Sequence, residues 1–70
     1  MKINELKAEI VRNGLTIESF AEKAGITRTT MWRRFNNPNE LTLGEITAMA
    51  DVLNLKGDRV IDIFFNDKVS

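Results

Sequence analysis

The sequence contains no cysteine and no histidine among its 70 residues. Disulfides, thiolate chemistry, zinc sites of the usual kinds and histidine-based catalysis are therefore excluded. A short chain without disulfides fits a reducing cytoplasm, which is the location we expect. The N-terminal segment has no apolar run that would serve as a signal peptide or membrane span, so no membrane partner is predicted.

The charged residues balance in total but not along the chain. Residues 1–39 carry seven Lys and Arg against four Asp and Glu, whereas residues 40–70 carry three against six. Such asymmetry favours an anionic partner for one face, although uneven scattering of ten charges of each sign would give the same totals. The segment "GITRTTMWRRFNNP" at residues 25–38 shows the bias most clearly, because it has three arginines and no acid.

Apolar residues recur at helical spacing in five short segments, and no segment shows the alternation of apolar and polar residues that is typical of a strand. The sequence therefore predicts a single all-α domain over residues 1–70. Thr16, Thr27 and Thr42 stand where N-cap residues are expected, and Glu45 completes a capping box with Thr42. The segment "NNPNE" is predicted to be a loop. The last segment, "VIDIFF", has too many apolar residues for one buried stripe.

The second and third predicted helices are joined by a turn of three to four residues, Ala24–Thr27, that contains Gly25. Two short helices with such a turn are typical of a helix-turn-helix, although any helical hairpin has similar spacing. The sequence therefore predicts a helix-turn-helix formed by helices two and three.

The third predicted helix has one apolar face and one face suited to nucleic acid. Met31 and Phe35 point one way, while Thr29, Arg33 and Asn36 point the opposite way. Guanidinium, hydroxyl and amide groups are the groups that contact base edges and phosphates. This face predicts double-stranded DNA as the partner.

The flanks of this helix allow more than one interpretation. Trp32 either covers the side of the core or packs on the DNA backbone. Arg34 is predicted to be a surface or phosphate-facing residue rather than a base reader. Thr27 is foremost a cap, but a phosphate at the helix N-terminus would also meet free N–H groups there.

Nearly the whole chain resembles a phage-repressor-type helix-turn-helix domain, the five-helix fold of the lambda-repressor-like, XRE or Cro-like family. "LTIESFAEKAGITRTTMWRRFNNP" is similar to the family's helix-turn-helix, and "LTLGEITAMADVLNL" is similar to its fourth helix. The ending "DIFFNDKVS" resembles the tails of small proteins from Gram-positive phages and prophages.

The resemblance implies that the third helix enters the major groove of DNA. The positions matching the family's base contacts are Arg28, Thr29 and Arg33. The positions expected to meet phosphate are Ile17, Thr27, Thr30, Trp32, Asn36, Asn37 and Asn39. Many family members have Gln at the start of the second helix, where this chain has Ile17 and can offer only a backbone N–H to a phosphate.

The resemblance also implies a homodimer on a two-fold symmetric operator. One small helix-turn-helix buries too little surface for tight specific binding on its own. The surplus apolar residues Ile61, Phe64 and Phe65 are the predicted dimer or partner interface. The other interpretation is that the tail folds back and covers itself.

We therefore expect a sequence-specific DNA-binding transcription regulator, phage or prophage encoded and of the Cro or small-repressor kind. The alternative is a phage switch modulator that acts by binding a repressor protein rather than DNA. An enzyme is not expected, because the chain has no glycine-rich phosphate loop and no paired carboxylates in a credible pocket. No cofactor, metal or small-molecule substrate is predicted.

Overall fold

Regular structure in the computed structural model, which describes residues 1–66, is entirely helical. The elements in chain order are α1 (Ile3–Arg12), α2 (Ile17–Ala24), α3 (Arg28–Asn36), a 3₁₀ turn (Pro38–Glu40), α4 (Leu43–Leu53), α5 (Gly57–Val60) and a π-helical segment (Ile61–Phe65). The all-α, five-helix prediction is confirmed. Residues 67–70 of the predicted tail lie outside the described residues.

The helix starts follow the predicted caps. The side-chain oxygens of Thr16, Thr27 and Thr42 each accept a hydrogen bond from a backbone N–H in the first turn of α2, α3 and α4. At α4 the box is complete, because the Thr42 N–H donates to Glu45 Oε1 at 3.0 Å. At α2 the reciprocal residue is Ser19, whose Oγ accepts from the Thr16 N–H at 2.9 Å. Local chemistry therefore fixes where these helices begin.

One core joins all the helices. Its buried apolar residues are Leu6, Ile10, Phe20, Ala21, Met31, Phe35, Ile46, Met49, Leu53, Ile63 and Phe64. The α3 contribution is only Met31 and Phe35, so this helix gives one narrow stripe to the interior and leaves its other sides available.

The π-helical segment and α5 pack against α1 through polar contacts as well as apolar ones. The Lys2 backbone N–H donates to Ile63 O at 2.7 Å, and Lys2 Nζ pairs with Asp62 at 2.8 Å. Arg59 bridges Glu5 and Asp62, at 2.8 Å from each carboxylate. The segment from Arg59 to Ile63 is thus held against α1.

This packing corrects the interface prediction at Phe64. The Phe64 side chain is 6% exposed and lies in the core, whereas Ile61 and Phe65 are 61% and 54% exposed. Val60, Ile63 and Phe64 follow an i, i+3, i+4 pattern that faces inward, and Ile61 and Phe65 lie one position on from that stripe. Of the three residues predicted to form the interface, only Ile61 and Phe65 are therefore exposed.

None of the helices within residues 1–66 is long and apolar enough to cross a membrane.

Candidate nucleic-acid interface

The turn between α2 and α3 holds the two helices in a fixed relation. Gly25 has φ of 72°, a left-handed conformation that glycine adopts at low cost. The Gly25 N–H donates to Glu22 O at 3.1 Å, and the Ile26 N–H donates to Ala21 O at 3.0 Å. Ile26 then packs against the core. These contacts close α2 and set the direction in which α3 leaves.

The α3 N-terminus is held by two threonines. Thr27 Oγ1 accepts from the Thr30 N–H at 3.1 Å and donates its own proton to Thr30 Oγ1 at 2.9 Å. Thr27 is therefore confirmed as a cap, and its hydroxyl is already used within the protein. Thr30 is half-buried and lines a groove toward Thr42 at the start of α4.

The face of α3 opposite the core is exposed along its length. Arg28, Thr29, Arg33 and Asn36 are all exposed, and none of them is apolar. The structure therefore exposes all three predicted base-contacting residues. Thr29 and Arg33 lie on the face opposite Met31 and Phe35, whereas Arg28 lies at the start of α3 on the same flank as Trp32. Asn37 and Asn39, in the following turn, are also exposed.

The three arginines of α3 differ in their partners. Arg28 Nη1 lies 3.0 Å from Glu18 Oε2 on α2. Arg34 pairs with carboxylates of the following turn and of α4. Arg33 makes no ion pair with any residue in the described part of the chain. The positive charge that the sequence concentrates on α3 is thus two-thirds neutralised by acids from other elements, and Arg33 carries the remainder.

Arg34 has a structural position rather than a DNA-facing one. Its side chain is 19% exposed, with Nε donating to Glu45 Oε1 at 2.9 Å and Nη1 to Glu40 Oε1 at 3.3 Å. The hydrogen bond from Arg34 is the main reason that the pKa of Glu45 lies below its usual range, and the Thr42 N–H adds to the effect. The pKa of Arg34 is raised by the same contact. This pair fixes the C-terminal half of α3 to the N-terminus of α4.

Trp32 covers the side of the core, which is one of the two positions that the sequence allowed, and its packing on the DNA backbone stays a prediction. Its ring meets Phe35 edge to face, with centroids 5.9 Å apart, and so covers the core. It is nevertheless 44% exposed and forms one wall of an apolar groove of about 360 Å³. Val11, Leu15 and Ile17 line the same groove. The Ile17 side chain is half-buried there, and it has no polar group to offer a ligand.

Comparison with known protein families identifies the class of protein to which this geometry belongs. An exposed polar helix, held by a glycine-containing turn against a shorter partner helix, defines a helix-turn-helix protein. Residues 6–60 match the family described as Helix-turn-helix, and the chain belongs to that family in its repressor-type, lambda-repressor-like form. It is therefore a DNA-binding transcription regulator. No curated protein and no solved structure matches the chain.

Sequence reasoning missed the acids that face the α3 arginines. The sequence singles out Glu45 only for its capping box, and it gives no sign that Glu18 meets an arginine. The partner of Glu18 is ten residues away across a turn, and the partner of Glu45 is eleven residues away in another helix. The i, i+3 and i, i+4 spacings that reveal ion pairs along one helix give no signal for pairs between helices.

Proposed function

We propose that the protein is a sequence-specific regulator of the Cro or small-repressor kind, from a phage or prophage, that acts by occupying an operator. Helix α3 enters the major groove with its first turns on the base edges. Arg28, Thr29 and Arg33 are the proposed base contacts. Bound protein then blocks polymerase or recruits it.

The observation that carries the proposal is the state of Arg33. The Arg33 guanidinium is exposed and has no carboxylate partner within residues 1–66, so it is available for a ligand. Its planar fork matches the O6 and N7 acceptors of guanine in the major groove. Met31 and Phe35, on the opposite side of α3, anchor the helix so that this fork is presented outward.

Phosphate contacts would position the domain on either side of α3. The proposed contacts are those at Ile17, Thr27, Thr30, Trp32, Asn36, Asn37 and Asn39. At Ile17 and Thr27 the donors would be backbone N–H groups, since one side chain is apolar and the hydroxyl of the other is engaged in the cap. The asparagines are exposed and offer side-chain amides.

The test is DNA binding by Arg33 variants. A preferred duplex, hereafter the selected duplex, is first recovered by the wild-type protein from a randomised 20-base-pair library. Arg33→Ala is expected to weaken binding to it by about 1–3 kcal/mol and to relax preference at one base position, if the contact is bidentate. Fluorescence anisotropy on the selected duplex and its single-base variants measures both effects.

Arg33→Lys is the matched control for charge. Lysine keeps the positive charge but cannot make two parallel bonds to a guanine edge. A base contact predicts that Arg33→Lys keeps the salt dependence and loses the base preference. Full recovery of affinity and preference by lysine would assign Arg33 to a phosphate instead.

We also propose that the active form is a homodimer that uses the exposed tail residues Ile61 and Phe65. A half-site contact by one domain buries little surface, and two-fold symmetry doubles it. Phe65→Ser is expected to shift the sedimentation profile toward monomer. The control is Val11→Ser, which changes an exposed apolar residue on α1 instead of the tail. This variant is expected to leave the sedimentation profile unchanged. An unchanged profile for Phe65→Ser would remove the tail from the interface.

A second candidate function is modulation of a repressor protein by direct binding. The observation that favours it is the neutralisation of Arg28 and Arg34, together with the absence of a side-chain donor at Ile17, since both reduce the attraction for phosphate. On this alternative the wild-type protein recovers no preferred duplex from the library. It instead forms a stoichiometric complex with a repressor, detectable by size-exclusion chromatography of the two purified proteins.

A further inference from the structure

Glu18 is the one acid whose carboxylate reaches a proposed base-contacting residue in the described part of the chain. It is the second residue of α2, and Arg28 is the first residue of α3. Glu18 Oε2 and Arg28 Nη1 are 3.0 Å apart, and each side chain is 69% exposed. The ion pair therefore spans the helix-turn-helix on its outer surface, where DNA would approach.

An exposed pair of this kind contributes little to the stability of the fold, because both groups remain hydrated. Its effect on DNA is larger, since the partner is a polyanion. A free guanidinium at the start of α3 would neutralise any phosphate it met, and that contact carries no sequence information. With the carboxylate beside it, Arg28 gains little by exchanging one anion for another.

A guanine edge is different from a phosphate in this respect. The contact to Glu18 uses Nη1, and within residues 1–66 neither Nε nor Nη2 of Arg28 makes a hydrogen bond or ion pair. Those two nitrogens form the side edge of the guanidinium, and they match the two acceptors O6 and N7. Arg28 is thus able to bind a guanine while it keeps its carboxylate partner.

We propose that Glu18 is a specificity-determining residue, which steers Arg28 away from the DNA backbone and toward a guanine edge. This inference rests on the proposed function, because it requires that α3 bind DNA. It adds that discrimination comes from an acid outside α3 that lowers binding to non-specific sequence more than binding to the operator.

The test compares Glu18→Gln with Glu22→Gln. Glu22 lies one turn further along α2, is exposed, and makes no ion pair within residues 1–66, so both variants remove one negative charge from the same helix. The probes are a random-sequence 20-base-pair duplex and the selected duplex. Anisotropy titrations across a salt series give affinities and slopes, and circular dichroism melting checks that each variant is folded.

Glu18→Gln is expected to tighten binding to the random duplex by roughly three- to tenfold at 50 mM salt. The slope of log affinity against log salt should steepen by about 0.9, because Arg28 becomes available to one more phosphate. Affinity for the selected duplex should change less, so the ratio between the two duplexes falls. Glu22→Gln should leave that ratio close to its wild-type value.

A double variant separates steering from simple repulsion. In the Arg28→Gln background, Glu18→Gln should affect the random duplex no more than Glu22→Gln does. Equal effects of the two single variants, or an undiminished effect of Glu18→Gln without Arg28, would overturn the inference. A wild-type protein with no selected duplex would instead remove the proposed function, and the inference would fall with it.

Discussion

Replacing Phe64 with alanine is expected to remove much of the stability of the domain, whereas the same change at Phe65 is expected to have a small effect. Phe64 is 6% exposed and belongs to the core, while Phe65 is 54% exposed. Truncating a buried phenylalanine costs about 3–5 kcal/mol, because the transfer energy is lost and a cavity remains. For Phe65, about half of a full burial energy of roughly 1.5–3 kcal/mol is lost, or about 1 kcal/mol.

These magnitudes are large for a chain of this size. A 70-residue domain has a total free energy of unfolding of roughly 4–10 kcal/mol. Since 1 kcal/mol shifts the Tm of a domain of 60–100 residues by about 4–8 °C, Phe64→Ala should lower the Tm by at least about 12 °C. Phe65→Ala should lower it by about 4–8 °C.

The assay is thermal and urea unfolding followed by circular dichroism, at several protein concentrations. Dilute samples report the folded monomer, and any additional stability that appears at high concentration reports association through Phe65. Equal losses for the two variants in dilute samples, or a larger loss at Phe65, would refute the inward orientation of Phe64 and the fold of the tail built on it.

Two further predictions concern the helix-turn-helix turn and the contact between α3 and α4. Gly25→Ala is expected to destabilise the domain by about 1–2 kcal/mol, because alanine is strained at φ of 72°. Gly44→Ala, at a helical position whose nearest contact would be 3.9 Å away, should instead be neutral or stabilising, and urea midpoints compare the two. In the folded state the pKa of Glu45 lies below its ordinary value of 4.5, because Arg34 donates a hydrogen bond to its carboxylate. The ionised carboxylate therefore stabilises the fold above pH 4.5, and this stabilisation is lost as the pH falls through the lower, folded-state pKa. The difference in free energy of unfolding between wild type and Glu45→Gln should therefore shrink below about pH 4.5, and a constant difference from pH 7 to pH 3 would contradict this reasoning.

The helix ends were predictable because their causes are local. A threonine followed three residues later by a side chain that reaches back, as at Thr42 and Glu45, is recognisable from a few letters of sequence. The same holds for Gly25, whose position after α2 marks the turn. These signals gave the helix-turn-helix and the exposed face of α3 before any tertiary contact was known.

The sequence carries a signal for the inward position of Phe64 but none for the partners of the arginines. Val60, Ile63 and Phe64 have helical spacing, so the periodicity of the sequence alone indicates that Phe64 faces inward. No spacing rule indicates that Arg34 turns toward α4 or that Arg28 meets α2. The sequence therefore predicted which residues lie on the exposed side of α3, but not how much of their charge is paired.

The most direct test of the account is the salt dependence of DNA binding by the wild-type protein. Fluorescence anisotropy compares the selected duplex with random duplex between 50 and roughly 200 mM salt, the range over which phosphate contacts change affinity most visibly. An operator-binding regulator predicts a clear preference for the selected duplex, with log affinity falling linearly with log salt by about 0.9 per phosphate held. Equal affinity for both duplexes at every salt concentration would contradict the proposed function and leave binding to a repressor protein as the role of this fold.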